Sequence, residues 1–163
     1  MMTEKDMYLS NWDREHKTTL KVLKAYPVDK QDMKPAEKAR SAKELAEIFV
    51  GEQSVIVEGV LNGKIEFGGH AATVPALPEI ISALEKSYPA IASKVAAMSE
   101  EEWNSMMDFP VGPGQMGKLR KADILWIALQ DQIHHRGQFS VYLRLAGAKV
   151  PSIYGPSADE PWM

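Results

Sequence analysis

The sequence predicts an all-α fold, a four-helix bundle followed by a long irregular C-terminal tail. Four helix-length segments carry apolar residues at helical spacing, prolines and glycines separate these segments, and no stretch alternates convincingly between apolar and polar residues. The chain has 163 residues, of which 45% are hydrophobic and 25% are charged, so it is long enough to bury one core. We therefore expect a single helical-bundle domain over residues 1–163.

The first two predicted helices have recognisable ends. The first runs over about residues 3–26 and is followed by a proline. The second begins at a capping box, because Ser41 and Glu44 have the S-x-x-E spacing in which each side chain satisfies a free backbone N–H of the other residue. Its apolar residues then recur at helical spacing up to a stop at Gly63.

The third and fourth predicted helices are separated by a loop. The third covers about residues 77–98, and Pro89 inside it predicts a kink or a short break. Residues 108–117, which read DFPVGPGQMG, are predicted to be a loop because of their proline and glycine content. The fourth helix is predicted over about residues 118–146, with Gly147 as its C-terminal stop.

The apolar residues after the fourth helix predict a tail that packs on the bundle. Residues 149–163 are proline-rich and irregular, yet they carry Ile153, Tyr154 and Trp162. We expect these three side chains to fold back over the bundle. Among the four tryptophans, Trp126 lies in a part of the fourth helix that is apolar all round, and it is the strongest candidate for the core.

The composition excludes several classes of protein. The net charge is −3 and no basic block is present, which argues against nucleic-acid binding. The absence of cysteine excludes disulfides, thiolate metal sites and a cysteine nucleophile. The N-terminal residues lack the apolar run of a secretion signal, and no segment approaches the roughly 18 apolar residues of a membrane span. We therefore expect a cytoplasmic protein that binds no membrane.

One face of the fourth helix carries polar residues that need an explanation. Asp131, His135 and Gln138 follow apolar residues at steps of four and three, so they share this face, whereas His134 points about a third of a turn away. A buried polar group costs about 1–3 kcal/mol unless it has a partner. Three interpretations stay open at this point: a hydrogen-bonded pair that ties helices together, a divalent-metal site, or a general base, His135, oriented by Asp131.

Several stretches resemble the DinB-like superfamily in order and spacing. The C-terminal HHRGQFSVYLRLAGAKVPSIYGPSADEP is similar to the family's signature, KARSAKELAEIFV resembles the opening of its second helix, and EGVLNG resembles the end of that helix. Members of this superfamily are mostly bacterial four-helix bundles that usually hold one divalent metal ion. The resemblance covers most of the chain and implies the same fold here.

The resemblance also implies a metal-ligand set, which this sequence keeps only in part. The family usually binds its metal with three histidines, one on helix two and two on the last helix, four residues apart. His135 matches the last of these, Asp131 replaces the histidine four residues earlier, and Ile48 stands at the helix-two position. Glu52, one turn beyond Ile48, is the candidate that replaces the missing ligand, and Glu47 takes that role if the register is shifted by one residue.

The family implies zinc, manganese or nickel as the ion. A Glu52–Asp131–His135 set is harder than three histidines and favours zinc, manganese or magnesium over copper or nickel. Two functions follow as hypotheses. One is a divalent-metal-dependent enzyme acting on small molecules, a thiol transferase or a hydrolase; the other is a non-catalytic binding or stress-response protein that has lost its metal. The resemblance further implies a homodimer formed through helix faces.

The remaining candidates are interpreted conservatively. Arg136 is either a ligand for an anionic substrate group or, as we favour, part of a surface ion pair. His70 lies in a glycine-rich loop and either covers the mouth of the site or is solvated. His16 is interpreted as a surface or helix-packing residue, and His134 as packing on a neighbouring helix or bonding to a carbonyl.

Overall fold

Helices account for most of the structure, a computed structural model that describes residues 1–67 and 75–163. The predicted all-α class is confirmed, with the addition of one small two-stranded sheet. In chain order the elements are α1 (Glu4–Lys24), a 3-10 turn (Val28–Lys30), α2 (Ala42–Gly51), a π-helical segment (Glu52–Val57), α3 (Glu58–Asn62), α4 (Leu77–Ala97), α5 (Glu100–Asn104), β1 (Met106–Gly112), β2 (Gln115–Arg120) and α6 (Lys121–Leu145).

The stretch from α2 to α3 has the ends that the sequence predicts. The Ser41 hydroxyl accepts a hydrogen bond from the Glu44 backbone N–H at 3.3 Å, and the Ser41 N–H donates to the Glu44 carboxylate at 2.6 Å. This reciprocal pair is the predicted capping box. After α3 the chain turns at Gly63, whose φ of 76° is the left-handed conformation that favours glycine. Between the two ends, the π-helical segment widens the helix at the point where the polar residues begin.

The predicted break at Pro89 is absent, because α4 is helical through this residue over its whole length. Proline removes one hydrogen-bond donor from the helix but does not end it here. The Ser93 hydroxyl donates to the Pro89 carbonyl at 2.8 Å on the exposed side. The packing of α4 against α1 and α2 outweighs the loss of one backbone hydrogen bond.

The predicted loop at residues 108–117 is instead most of a β-hairpin, and the prediction was wrong. Strands β1 and β2 are antiparallel, with Met106 opposite Arg120 and Phe109 opposite Gly117. The turn uses Gly114 at a φ of 67°. Both strands of a two-stranded ribbon are edges, so prolines and glycines that would disrupt a central strand are tolerated. The hairpin also takes the residues assigned to the start of the fourth helix, which begins at Lys121.

The long helices pack in pairs around two apolar clusters. Helix α1 packs on α4 and α6, and α2 packs on the same two helices. One cluster includes Leu23, Phe49 and Phe139, and the other includes Trp12 and Ile124. Helix α6 is not buried on all sides near Trp126, since the adjacent Ile127 is exposed, so the prediction of all-round burial was wrong. Buried polar residues lie between the two clusters along the helices, namely Glu15, His16, Thr19, Glu52, Gln53, Gln132 and Arg136.

The tryptophans are buried differently from the prediction. Trp12 and Trp103 are fully buried, whereas Trp126 is only half-buried and meets Tyr8 edge to face at 5.2 Å between ring centroids. The neighbouring Ile127 is 40% exposed. The apolar residues of α6 therefore extend beyond the side that packs on the bundle, which is why periodicity alone misplaced the core position.

The C-terminal tail returns to the bundle in part. Gly147, at a φ of 71°, donates its N–H to the Arg144 carbonyl, and the next N–H bonds to the Leu143 carbonyl at 3.0 Å; these two bonds form a Schellman cap. Ile153 then packs on the first cluster, as predicted. Trp162 remains 64% exposed and donates to a hydroxyl within the tail, so its predicted burial was wrong.

Within the described ranges, no helix combines the length and hydropathy that crossing a bilayer requires.

Candidate metal centre

Three polar side chains converge at the level of the buried polar residues that lie between the two apolar clusters. Glu52, Asp131 and His135 each offer one potential ligand atom, and these atoms all lie within 4.8 Å of one another. Glu52 is the first residue of the π-helical segment, and the other two stand one turn apart on α6. The structure therefore brings together the three residues that the sequence singled out as candidate ligands.

Glu52 is the buried member of this group. It is 6% exposed, and neither of its carboxylate oxygens has a hydrogen-bond partner among the residues that the structure describes. Burial, together with the adjacent carboxylate of Asp131, raises the pKa of Glu52 to about 10. A carboxyl group in this position needs either a proton or a cation to offset the cost of its burial.

His135 is oriented by Gln138, one turn further along α6. The Gln138 amide nitrogen lies 3.0 Å from Nε2 of His134, and its carbonyl oxygen lies 3.0 Å from Nδ1 of His135. Since an amide oxygen only accepts, His135 must donate through Nδ1–H, which leaves a lone pair on Nε2 in the neutral ring. This type of contact fixes the tautomer of metal-binding histidines in proteins.

Nε2 of His135, which carries the lone pair when the ring is neutral, lies 3.3 Å from Oδ2 of Asp131. Both atoms are then hydrogen-bond acceptors, and nothing in the pair itself supplies the proton between them. With the Glu52 carboxylate beside them, which has no hydrogen-bond partner among the described residues, three electron-pair donors converge. Two carboxylate oxygens and one imidazole nitrogen form a donor set that suits a divalent ion. Three protein ligands of this kind leave further coordination positions on the ion open.

The acidic side of this group opens onto a cavity of about 470 Å³. This volume is within the usual range for small-molecule sites. Its polar lining residues are Glu52 and Asp131, together with Gln130 and His134. The rest of the lining is apolar and consists of Ile56, Phe67, Phe109, Ile127 and Ala128. Asp131, whose side chain is 52% exposed, connects the buried carboxyl to this open side.

The two other helix-two candidates lie outside the ligand group. Ile48 is half-buried, packs against the first apolar cluster and has no donor atom to offer. Glu47 is not among the side chains that converge in the described part of the chain. The residue beside Asp131 and His135 is therefore Glu52, one helical turn beyond the position at which the family resemblance places a histidine. His70 lies outside the described residues.

Arg136 forms a buried ion pair, and its predicted surface location was wrong. The residue is 1% exposed, and its guanidinium lies 2.6 Å from the Glu15 carboxylate, which is also buried. The same guanidinium donates to the Glu15 backbone carbonyl at 3.2 Å and to the Tyr154 hydroxyl, and that hydroxyl donates to Glu15 at 2.7 Å. Arg136 therefore connects α6, α1 and the tail, and it does not line the cavity.

His16 is buried, which agrees with a helix-packing role and excludes a surface one. Its ring stacks on Tyr88 at 4.0 Å between centroids, and its Nδ1 lies 3.5 Å from the Gln53 amide nitrogen. Burial lowers the pKa of His16 to about 4, so the ring stays neutral at pH 7.

His134, by contrast, is exposed, so its predicted packing on a neighbouring helix was wrong. Its Nε2 meets the Gln138 side-chain amide and not the predicted carbonyl.

Two aromatic residues of the cavity were not anticipated from the sequence. Phe109 lies on β1, in the stretch predicted as a loop, and Phe67 lies after α3 in a segment that is neither helix nor strand. Their rings meet edge to face at 6.1 Å between centroids. The one available signal was the run MMDFPV, in which apolar residues flank the acid, but its proline and the glycines that follow the run concealed the strand.

Comparison with known proteins agrees with this fold. A family model described as the DinB family matches residues 1–162. The uncharacterized protein YrdA of Bacillus subtilis strain 168 is 25% identical over 157 residues, which are 95% of this chain and 90% of that protein.

Two crystal structures of DinB-like proteins superpose on the chain. YjoA of Bacillus subtilis has a TM-score of 0.71 at 20% identity and covers 89% of this chain and 96% of its own. A protein of Bacillus cereus ATCC 10987 has a TM-score of 0.74 at 22% identity and covers 90% of this chain and 95% of its own. These likenesses confirm the architecture and carry no statement about activity.

Proposed function

This chain belongs to the DinB family, and we propose that it binds one divalent metal ion through Glu52, Asp131 and His135 beside a small-molecule cavity. A single observation carries the proposal. The Glu52 carboxyl is buried without a hydrogen-bond partner among the described residues, and it faces the carboxylate of Asp131 and the lone pair of His135 Nε2. A divalent cation resolves all three unpaired acceptors at once.

The donor set favours a hard or borderline ion. Carboxylate oxygens prefer magnesium and manganese, while a mixed oxygen and imidazole set also suits zinc. No thiolate is available, since the chain contains no cysteine. Zinc and manganese are therefore the ions that we expect to bind most strongly, ahead of copper and nickel.

The accompanying activity that we propose is a metal-dependent transfer or hydrolysis on a small molecule. When bound, a divalent ion supplies a Lewis acid that lowers the pKa of a coordinated water or thiol. Glu52 holds the buried side of the ion, and Gln138 keeps His135 in the tautomer that binds. Asp131 stands at the cavity, where a substrate enters.

A second candidate function has its own support. With a pKa of about 10, Glu52 carries a proton at neutral pH, and the acid pair is then satisfied by hydrogen bonding without an ion. In that case the protein is a non-catalytic member of the family that binds a small molecule in the same cavity. Metal binding separates the two candidates.

The test is a calorimetric titration of tag-free protein with zinc and with manganese. We expect about one equivalent to bind the wild-type chain, and Glu52→Gln to weaken binding at least about tenfold, because loss of a second-shell contact alone costs that much. Glu47→Gln is the matched control, since it makes the same change five residues earlier and outside the ligand group. Absence of binding, or equal affinity in both variants, would favour the non-catalytic candidate.

We further propose that the protein is a homodimer, as the family resemblance implies. The outer side of α6 supports this, because Val141 and Leu145 lie one turn apart on one face and are both 56% exposed. Light scattering of the wild type and of Val141→Glu tests this proposal. A monomeric mass at micromolar concentration contradicts it. A cytoplasmic location stays a prediction.

A further inference from the structure

We propose that the cavity beside the metal centre takes an apolar or aromatic small molecule that carries no negatively charged group. This inference names the ligand class of the site described above and rests on its proposed function. It follows from the two kinds of residue that line the cavity: two acids, Glu52 and Asp131, and apolar residues from three elements and from the segment after α3.

The apolar wall is arranged to contact a flat or hydrocarbon group. Phe109 on β1 and Phe67 after α3 form an edge-to-face pair, and Ile56 and Ile127 come from the π-helical segment and α6. Phe67 is 55% exposed and Ile127 is 40% exposed, so much of this wall faces water. Covering such surface is favourable, and a ligand with an apolar group gains that free energy.

Without a bound metal ion, the acidic residues of the lining disfavour anions. Glu52 and Asp131 are these acidic residues, and no lysine or arginine lines the cavity in residues 1–67 and 75–163. A phosphate or carboxylate group in this cavity thus has no lysine or arginine of the described lining to pair with, and it lies against the Asp131 carboxylate.

The basic residues of the adjacent hairpin do not supply the missing charge, because acids already engage them. Lys118 lies 3.5 Å from Asp108 on the facing strand. Arg120 makes a 2.6 Å contact with Asp123 and also bonds to Glu4. When a divalent ion is bound, its two charges offset those of Glu52 and Asp131, so the exclusion of anions applies to the metal-free cavity.

The inference assigns a role to the hairpin, which the metal site does not use. Strand β1 contributes no ligand atom, yet it places Phe109 against the cavity. The phenyl group of Phe109 is half-buried and packs on the second apolar cluster, so its position is defined by the core. The hairpin therefore sets the specificity of the site for apolar molecules, and it does so separately from the metal ligands.

The test compares three small probes: benzamide, benzoate and acetamide. Binding to the full chain is followed by NMR titration, once with zinc and once with EDTA. In EDTA we expect benzamide to bind at least about tenfold more tightly than either of the other two probes. Benzoate would place its negative charge against a carboxylate, and acetamide lacks the aromatic ring. Phe67→Ala and Phe109→Ala should each weaken benzamide binding about tenfold, while Met116→Ala, an exposed change on the same hairpin outside the cavity, should not.

The outcomes separate this inference from the proposed function. Selective benzamide binding without any zinc binding rejects the metal proposal and supports the ligand class. Zinc binding with no preference for benzamide over benzoate in EDTA, or with no effect of either phenylalanine variant, overturns the ligand class alone. If Phe109→Ala does not fold, Phe67→Ala decides, because that side chain is largely exposed and its loss leaves the core intact.

Discussion

Nε2 of His135 faces Oδ2 of Asp131 at 3.3 Å, and both atoms are acceptors when the ring is neutral with its proton on Nδ1, toward Gln138. A structural hydrogen-bonded pair on a helix would place a proton between these atoms. Here Gln138 draws the ring proton to the opposite nitrogen, Nδ1. The pair therefore offers two acceptors to a cation, and the Glu52 carboxylate, which has no hydrogen-bond partner among the described residues, offers a third.

Gln138 should control metal affinity without touching the metal. Replacing it with leucine removes the oxygen that accepts from Nδ1–H, so the other tautomer becomes equally available and the metal-binding lone pair is lost part of the time. We expect Gln138→Leu to weaken zinc binding about 10- to 100-fold. Competition with a chromophoric chelator measures this. Gln138→Glu keeps the acceptor and should bind nearly as the wild type does; equal weakening in both variants would refute the orienting role.

His16 should make the folded state sensitive to mild acid. Its pKa is lowered from 6.5 to about 4 in the folded protein, so below pH 6.5 the unfolded chain takes up a proton that the folded chain does not. The free energy of unfolding should therefore fall as the pH drops from 6.5 to 4, by at most about 1.4 kcal/mol per pH unit.

Urea denaturation at several pH values in this window measures the slope. His16→Phe keeps a ring to stack on Tyr88 but cannot be protonated, and its stability should depend less steeply on pH. Identical slopes for the two proteins would show that His16 does not resist protonation in the folded state.

The buried pair of Glu15 and Arg136 should be costly to break from one side. Glu15→Ala leaves the Arg136 guanidinium buried without its counter-ion, and we expect a loss of about 3–5 kcal/mol in the free energy of unfolding. Chemical denaturation measures it. The double variant Glu15→Gln with Arg136→Met should lose less than Glu15→Ala alone, because no unpaired charge remains.

An exposed ion pair on the same helix provides the control. Lys17 lies 2.6 Å from Asp13 with 71% and 46% of the two side chains exposed, so Lys17→Ala should change stability by less than about 1 kcal/mol. Similar losses for Lys17→Ala and Glu15→Ala would mean that burial of the Arg136 pair has little energetic effect.

Local chemistry made the helix ends and the ligand face predictable. The capping box at Ser41 and the glycine cap at Gly147 depend on residues a few positions apart, and so does the one-turn spacing of Asp131 and His135. Such features are visible in a sequence because the interacting groups are neighbours in it. The third candidate ligand, Glu52, was predicted from its position one turn beyond Ile48.

The features that were mispredicted depend on distant partners. Arg136 is buried because Glu15, 121 positions away, meets it across the bundle. The hairpin around Phe109 forms although its strands contain proline and glycine, since a two-stranded ribbon has no central strand to disrupt. The half-exposure of Trp126 follows from which side of α6 the other helices cover, and periodicity does not carry that information.

Anomalous diffraction from crystals grown with zinc tests the central claim most directly. The account predicts one strong peak about 2.0–2.2 Å from a carboxylate oxygen of Glu52, a carboxylate oxygen of Asp131 and Nε2 of His135. Zinc held by other residues, or an empty space between these three side chains at saturating zinc, would contradict the account.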